Sequence, residues 1–255
     1  MRFVRYQFQE GEPEYGWLLD GQIGSLKGDV FGDFQRLKAN IPREDVLLLP
    51  PVQPSKVICV ARNFSAHAAE HGSLVPDVPA LFFKPPSSLI GPQEAIVLPP
   101  QSHRVEQEAE LAVVIGKQGR WIAPEEVNNH ILGYTIANDV TERFFQGEDL
   151  HWTRGKGFDT FCPLGPWIET EFDPADALIS CRVNGELRQM ASTRDMVFQI
   201  DQLIAFASSF MTLEPGDVIL TGTPEGVAPL ADGDEVEITI EGIGSLINPV
   251  KKSER

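Results

Sequence analysis

Apolar residues recur along most of this chain in short runs broken by Gly, Pro and Asp-Gly, and that pattern predicts a protein built mainly from strands. Near the N-terminus, Phe3 to Phe8 and Tyr15 to Leu19 read as strands, and Asp20-Gly21 supplies a tight hairpin turn into Gln22 to Leu26. Further strands are predicted at Lys56 to Val60, Ala80 to Phe83, Ala95 to Leu98, Leu111 to Ile115, Ile179 to Val183, Val218 to Thr221 and Val236 to Ile240, with another apolar stretch from Ile131 to Ala137. Helical spacing is clearest in Val197, Ile200, Leu203, Ile204, Ala207 and Met211, which predicts a helix starting near Ser192, capped by that hydroxyl with Asp195, and ended by Leu213-Glu214-Pro215-Gly216. A shorter helix is predicted over residues 62–72, with Asn63 and Ser65 as caps and Gly72 at its C-terminus. The run Leu49-Pro50-Pro51-Val52-Gln53-Pro54 removes amide donors and stiffens the backbone. It divides a small N-terminal β domain with its linker, residues 1–54, from a main domain over 55–255. The fold class is mainly β with some α, an α+β protein.

Composition narrows the partners. With 255 residues, of which 42% are hydrophobic, the chain is long enough to bury a sizeable core. Its 21 basic and 37 acidic side chains leave a net charge of −16, which repels phosphate backbones and anionic membranes; nucleic acid is therefore excluded as an expected partner. An acidic small molecule would be repelled as well, so a site that accepts one needs local cations. Cys59, Cys162 and Cys181 are widely spaced and form no C-x-x-C, which argues against a disulfide framework or a zinc site and suits a reducing cytoplasm. The first residues lack a continuous apolar segment, and no apolar run approaches the roughly 20 residues that span a bilayer. A soluble, unprocessed, cytoplasmic protein without membrane association is expected.

Glu108 and Glu110 open the apolar run Leu111 to Ile115, and Asp139 closes the stretch from Ile131. On a strand, residues 108 and 110 share a face with Cα atoms roughly 7 Å apart. Burying two such carboxylates is costly unless a cation neutralises them or one stays protonated. Oxygen-only donors select hard ions such as Mg²⁺, Mn²⁺ or Ca²⁺. The spacing alone leaves open a solvated strand face with Asp139 capping a helix. A second pair, His67 and Glu70, lies three residues apart on one helical face, where the carboxylate can orient the imidazole as a general base or simply decorate the surface. Thr221-Gly222-Thr223-Pro224-Glu225-Gly226 predicts a tight turn with exposed amides that could hold a carboxylate. Lys156, flanked by Gly155 and Gly157, is expected on a mobile loop after a helix-like turn from Thr141 to Gln146, a cation suited to an anionic ligand.

Together these segments resemble the fumarylacetoacetate hydrolase family over about residues 55–250. The matching stretches are Ala61-Arg62-Asn63-Phe64 with His67 and Glu70, Phe83-Lys84-Pro85, Glu106-Gln107-Glu108-Ala109-Glu110-Leu111, Asn138-Asp139-Val140-Thr141, Lys156 to Pro163, and Thr221-Gly222-Thr223-Pro224 with Ile243-Gly244 and Asn248-Pro249. The resemblance implies a mixed β-roll or sandwich, usually a homodimer, in which Glu108, Glu110 and Asp139 bind Mg²⁺ or Mn²⁺. It implies that His67 and Glu70 form an acid/base dyad on a lid. It further implies that Arg62, Gln146, Lys156 and Thr223 contact substrate, with Gln146 and Lys156 counted among the catalytic groups and Gly222 with the binding turn. Where the family often has Gly-Arg-Asn-Tyr, this chain has Ala61-Arg62-Asn63-Phe64. The lost phenol changes the polar contacts offered to substrate and leaves metal and base intact.

Substrates implied by the resemblance are 2-oxo or 2,4-dioxo acids, whose adjacent oxygens can chelate a cation that stabilises an enolate. Hydrolysis of an acylpyruvate or fumarylpyruvate, or decarboxylation of oxaloacetate, would release pyruvate enolate. The dyad favours hydrolysis, because decarboxylation can proceed without a base. Residues 154–166 resemble the bacterial subgroup linked to 2-hydroxyhepta-2,4-diene-1,7-dioate isomerisation and 5-oxopent-3-ene-1,2,5-tricarboxylate decarboxylation in aromatic catabolism, which is the alternative. A non-catalytic metal-dependent dicarboxylate binder is a third, with no use for His67 and Glu70.

Overall fold

A computed structural model describes residues 1–254 and bears out a mainly β, α+β architecture. A 13-stranded mixed sheet runs, along its main path, Phe34–Arg36, Gln22–Gly28, Glu14–Leu19, Arg2–Phe8, Cys162–Glu169, Ile131–Asn138, Ala109–Ile115, Val218–Leu220, Val57–Ala61 and Ala80–Lys84. A five-stranded sheet, in the order Ile96–Leu98, Gly244–Lys252, Glu235–Ile240, Leu178–Val183 and Glu186–Ser192, packs against it. The N-terminal hairpins are hydrogen-bonded into the large sheet, since Arg2 and Phe3 pair with Glu169 and Ile168. Among the described residues no helix is long and apolar enough to cross a membrane.

The strand Ala109–Ile115 is buried on both faces, which explains its continuous apolar run. Leu111, Val113 and Ile115 face the core shared with the five-stranded sheet, where Ile179, Ile238 and Ile240 meet them. Ala112 and Val114 face a second core with Val57, Cys59, Ala137 and Leu164. Glu108 and Glu110 have the parity of that second face, and so has Asp139 relative to Ala137. Antiparallel pairing of Ala109 with Asn138 sets the two strand ends side by side.

The long predicted helix is shorter than its spacing suggested. Ser192 ends a strand, and its capping box with Asp195 closes a single 3₁₀ turn, Thr193–Asp195. The helix proper is Ile200–Phe210, entered through a second box formed by Gln199 and Gln202. The reason lies at Asn63, whose backbone carbonyl accepts from the Val197 amide and whose side chain accepts from Phe198 N at 2.7 Å. These bonds hold residues 197 and 198 in a bend ahead of the helix. Asn63 also donates to Phe198 O at 3.0 Å and Thr221 O at 2.8 Å, so it is a buried tie and not the helix cap expected of it. Ser65 does not cap either; the helix Ser65–Glu70 starts after Phe64 without a side-chain cap and ends with Gly72 at φ +61°, where a left-handed backbone favours glycine. Asn63→Ala should strand the buried Thr221 carbonyl and two partly buried backbone groups of Phe198, and cost about 2–4 kcal/mol. A denaturant midpoint that stays within error of wild type would contradict this.

Candidate active site

The three carboxylates converge at the open end of the second core face. Glu108, Glu110 and Asp139 each offer an oxygen, these oxygens lie within 4.8 Å of one another, and all three residues are buried. The Asp139 amide donates to Glu108 O at 2.9 Å, and Asn138 Oδ1 accepts from Glu108 N at 2.9 Å, which fixes the two strand ends relative to each other. Lys156 Nζ bridges Glu108 Oε2 at 2.8 Å and Asp139 Oδ2 at 2.6 Å. Lys84 Nζ donates to Asp139 Oδ1 at 2.6 Å, and Arg143 Nη2 lies 2.7 Å from Glu108 Oε1. Glu106, fully buried, accepts from Arg143 Nε at 2.6 Å.

Charge is unevenly compensated. Although burial pushes the Glu108 carboxyl up, Lys156 and Arg143 outweigh it and hold the group well below the ordinary carboxylate range. Burial pushes Glu110 well above that range, and Asp139 and Glu108 push it further. Its direct protein donor is the Gly222 amide, 2.6 Å from Oε2. This is the carboxyl that a bound cation would relieve, and a buried all-oxygen donor set suits Mg²⁺ or Mn²⁺. The residues therefore fit a divalent ion.

On the facing helix, His67 Nδ1 lies 3.3 Å from Glu70 Oε2. Burial lowers the proton affinity of His67, Glu108 opposes that shift, and His71 and Arg143 add to it, so the imidazole is held neutral at pH 7. Glu70 is itself held by the Gly226 amide at 3.2 Å. The carboxylates and His67 line a common cavity of about 340 Å³, as do Arg62, Arg104, Arg143 and Gln146, while Glu70 stands behind His67 outside the lining.

The sequence-derived candidates thus gather at one place, with differences in detail. Lys156, expected on a mobile loop, ends a short helix, Thr153–Lys156, and is nearly fully buried because two carboxylates hold it. Arg62 lines the cavity at φ +57°. Gln146 lines it too and accepts from Arg143 Nη1 at 2.9 Å. The turn at Thr221 does hold carboxylates, but they are the protein's own Glu110 and Glu70. Thr223 reaches the cavity wall, yet its hydroxyl donates to Ala109 O at 2.9 Å and accepts from Gln189 Nε2 at 2.8 Å. Sequence reasoning missed Lys84, Arg143 and Gln189. Lys84 ends an apolar strand and Arg143 follows the Asp139 segment directly, so both carried a signal; Gln189 lies far along the chain and carried none.

The family profile described as fumarylacetoacetate (FAA) hydrolase C-terminal matches residues 56–251. The chain belongs to the fumarylacetoacetate hydrolase family. A second profile, Rv2993c-like, N-terminal, matches residues 1–51. The mitochondrial oxaloacetate tautomerase Fahd2a of Rattus norvegicus is 47% identical over 222 residues, which span 82% of this chain and 71% of the rat protein. The 2-hydroxyhepta-2,4-diene-1,7-dioate isomerase from Mycobacterium marinum has a TM-score of 0.92 and 40% identity, with 100% of both chains covered. Maleylpyruvate hydrolase from Sphingobium sp. SYK-6, solved with manganese(II) ion and pyruvate, has a TM-score of 0.82 and 34% identity, again with 100% of both chains covered. Membership makes this fumarylacetoacetate hydrolase homologue an enzyme of the general kind these tautomerases, isomerases and hydrolases represent.

Proposed function

We propose that the protein catalyses Mg²⁺- or Mn²⁺-dependent proton transfer at C3 of a 2-oxo diacid, with keto–enol interconversion of oxaloacetate as the first candidate reaction. The observation that carries this reading is a neutral, carboxylate-oriented His67 facing three buried carboxylates across one cavity. A divalent cation held by Glu108, Glu110 and Asp139 would supply Lewis acidity toward the 2-oxo acid end of the substrate. His67 removes the C3 proton of the keto form, the electron pair moves onto the carbonyl, and the imidazolium returns a proton to that oxygen. Glu70 stabilises the imidazolium while it lasts. Arg62, Arg104 and Arg143 on the cavity wall supply the local cations that a dianion needs in a chain of net charge −16.

Cleavage is the second reading. The likeness to a maleylpyruvate hydrolase solved with pyruvate supports it, since a base that takes a C3 proton can equally activate water. One experiment separates the two. Chelator-stripped protein is given oxaloacetate, acetylpyruvate and fumarylpyruvate with and without Mg²⁺, and enol absorbance and pyruvate release are followed together. Metal-dependent loss of the oxaloacetate enol without pyruvate is the expected result. Metal-dependent pyruvate release would favour cleavage, and no change in any substrate would overturn both readings.

A further inference from the structure

The helix that carries the dyad is capped at its C-terminus by a third ligand-bearing residue that the proposed reaction leaves unused. His71 follows Glu70, lines the same cavity, and stands edge-on to His67 with ring centroids 4.7 Å apart. The spacing His67-Ala68-Ala69-Glu70-His71 sets two imidazoles four residues apart, one in the helix and one at its C-cap, with a carboxylate beside them, a spacing that holds zinc in other helices. In the folded chain, one ligand atom from each of His67, Glu70 and His71 lies within 4.8 Å of the other two. Tetrahedral ligands at about 2.1 Å from zinc stand about 3.4 Å apart. Small rotations of the exposed Glu70 and His71 side chains therefore close the set around the buried His67.

Donor chemistry separates this cluster from the carboxylate trio across the cavity. Oxygen-only donors suit Mg²⁺ and Mn²⁺, whereas two imidazoles favour zinc and its neighbours in the transition series. We infer that His67, Glu70 and His71 form a second metal site, selective for zinc-class ions, whose occupation takes His67 out of proton transfer. A neutral imidazole has one free lone pair; once that pair ligates a metal, none remains to accept the C3 proton. The inhibitory consequence rests on the function proposed above, and the binding does not.

The test titrates Zn²⁺ into protein saturated with Mg²⁺, in competition with a chromophoric chelator. Wild type should take up a single equivalent, Glu110→Gln should retain it, and His71→Ala and His67→Ala should each bind it at least about tenfold more weakly. In parallel, Zn²⁺ should suppress oxaloacetate turnover over the concentration range in which it binds, and His71→Ala should resist it when compared with its own zinc-free rate. An equivalent that persists in His71→Ala and disappears in Glu110→Gln would put zinc on the carboxylates and overturn the site. So would the absence of any bound equivalent. Binding as expected, in a protein that turns over no oxo acid without zinc, would support the site and remove the proposed reaction instead.

Discussion

Glu110→Gln should lower turnover by about a thousandfold while leaving the metal-free protein at least as stable as wild type. The two effects have opposite signs because Glu110 is the carboxyl of the trio that no cationic side chain contacts directly, and the field of Lys156 does not offset its burial. Burial, then Asp139 and Glu108, disfavours its ionised form, and its amide partner Gly222 can donate equally well to a carboxamide oxygen. The substitution therefore removes an unfavourable charge and keeps the hydrogen bond. Catalysis loses one of three ligands to a Lewis acid, and about 4 kcal/mol of lost transition-state stabilisation is about three orders of magnitude. Asp139→Asn makes the contrast, because it removes the ion-pair partner of Lys84 and one of the two carboxylates that hold Lys156, leaving buried ammonium groups under-compensated. That variant should unfold at lower temperature as well as lose turnover. Thermal unfolding in chelator, Mg²⁺ titration and the oxaloacetate assay together decide the matter. Wild-type turnover in Glu110→Gln would remove the trio from the chemistry.

The trio was legible from sequence because its argument is local. Strand parity put Glu108 and Glu110 on one face, and burial cost demanded a countercharge. What parity cannot state is how much of that countercharge the chain itself provides. Lys84 and Arg143 arrive from other segments, through the pairing of Val57–Ala61 with Ala80–Lys84 and the helix after Thr141. The strand Cys162–Glu169 escaped notice because Pro163, Gly165 and Pro166 read as turn punctuation, and Gly244–Lys252 was hidden the same way by Pro249. Both strands are fixed by partners rather than propensity: the first pairs with Arg2–Phe8 and Ile131–Asn138, and the second spans the five-stranded sheet between Ile96–Leu98 and Glu235–Ile240. The helix start failed for a related reason. Ser192 to Asp195 is a genuine capping box, but bonds from distant Asn63 claim residues 197 and 198 before the helical period can take hold.

His67→Ala should lower turnover by about two to four orders of magnitude, the range for a general base, and should leave Mg²⁺ affinity unchanged. The second half matters because the carboxylates and the dyad sit on different elements: the trio on two paired strand ends, His67 on the helix Ser65–Glu70 across the cavity. A loss confined to the rate places His67 in proton transfer, whereas a parallel loss of metal affinity would make its effect structural. The pH profile supplies the sign. Burial lowers the His67 pKa from its ordinary 6.5, partly offset by Glu108 and reinforced by His71 and Arg143. A base acts only when deprotonated, so turnover per free enzyme should be level above 6.5 and fall as pH drops through the lowered value, about tenfold per unit beyond it. A cation on the nearby carboxylates moves the limb further in the same direction. Glu70→Gln removes the carboxylate that supports the imidazolium, so its limb should lie lower still with a smaller loss of rate than His67→Ala. An acid limb above 6.5, or one that survives in His67→Ala, would mean that another group titrates and that the dyad is not the base.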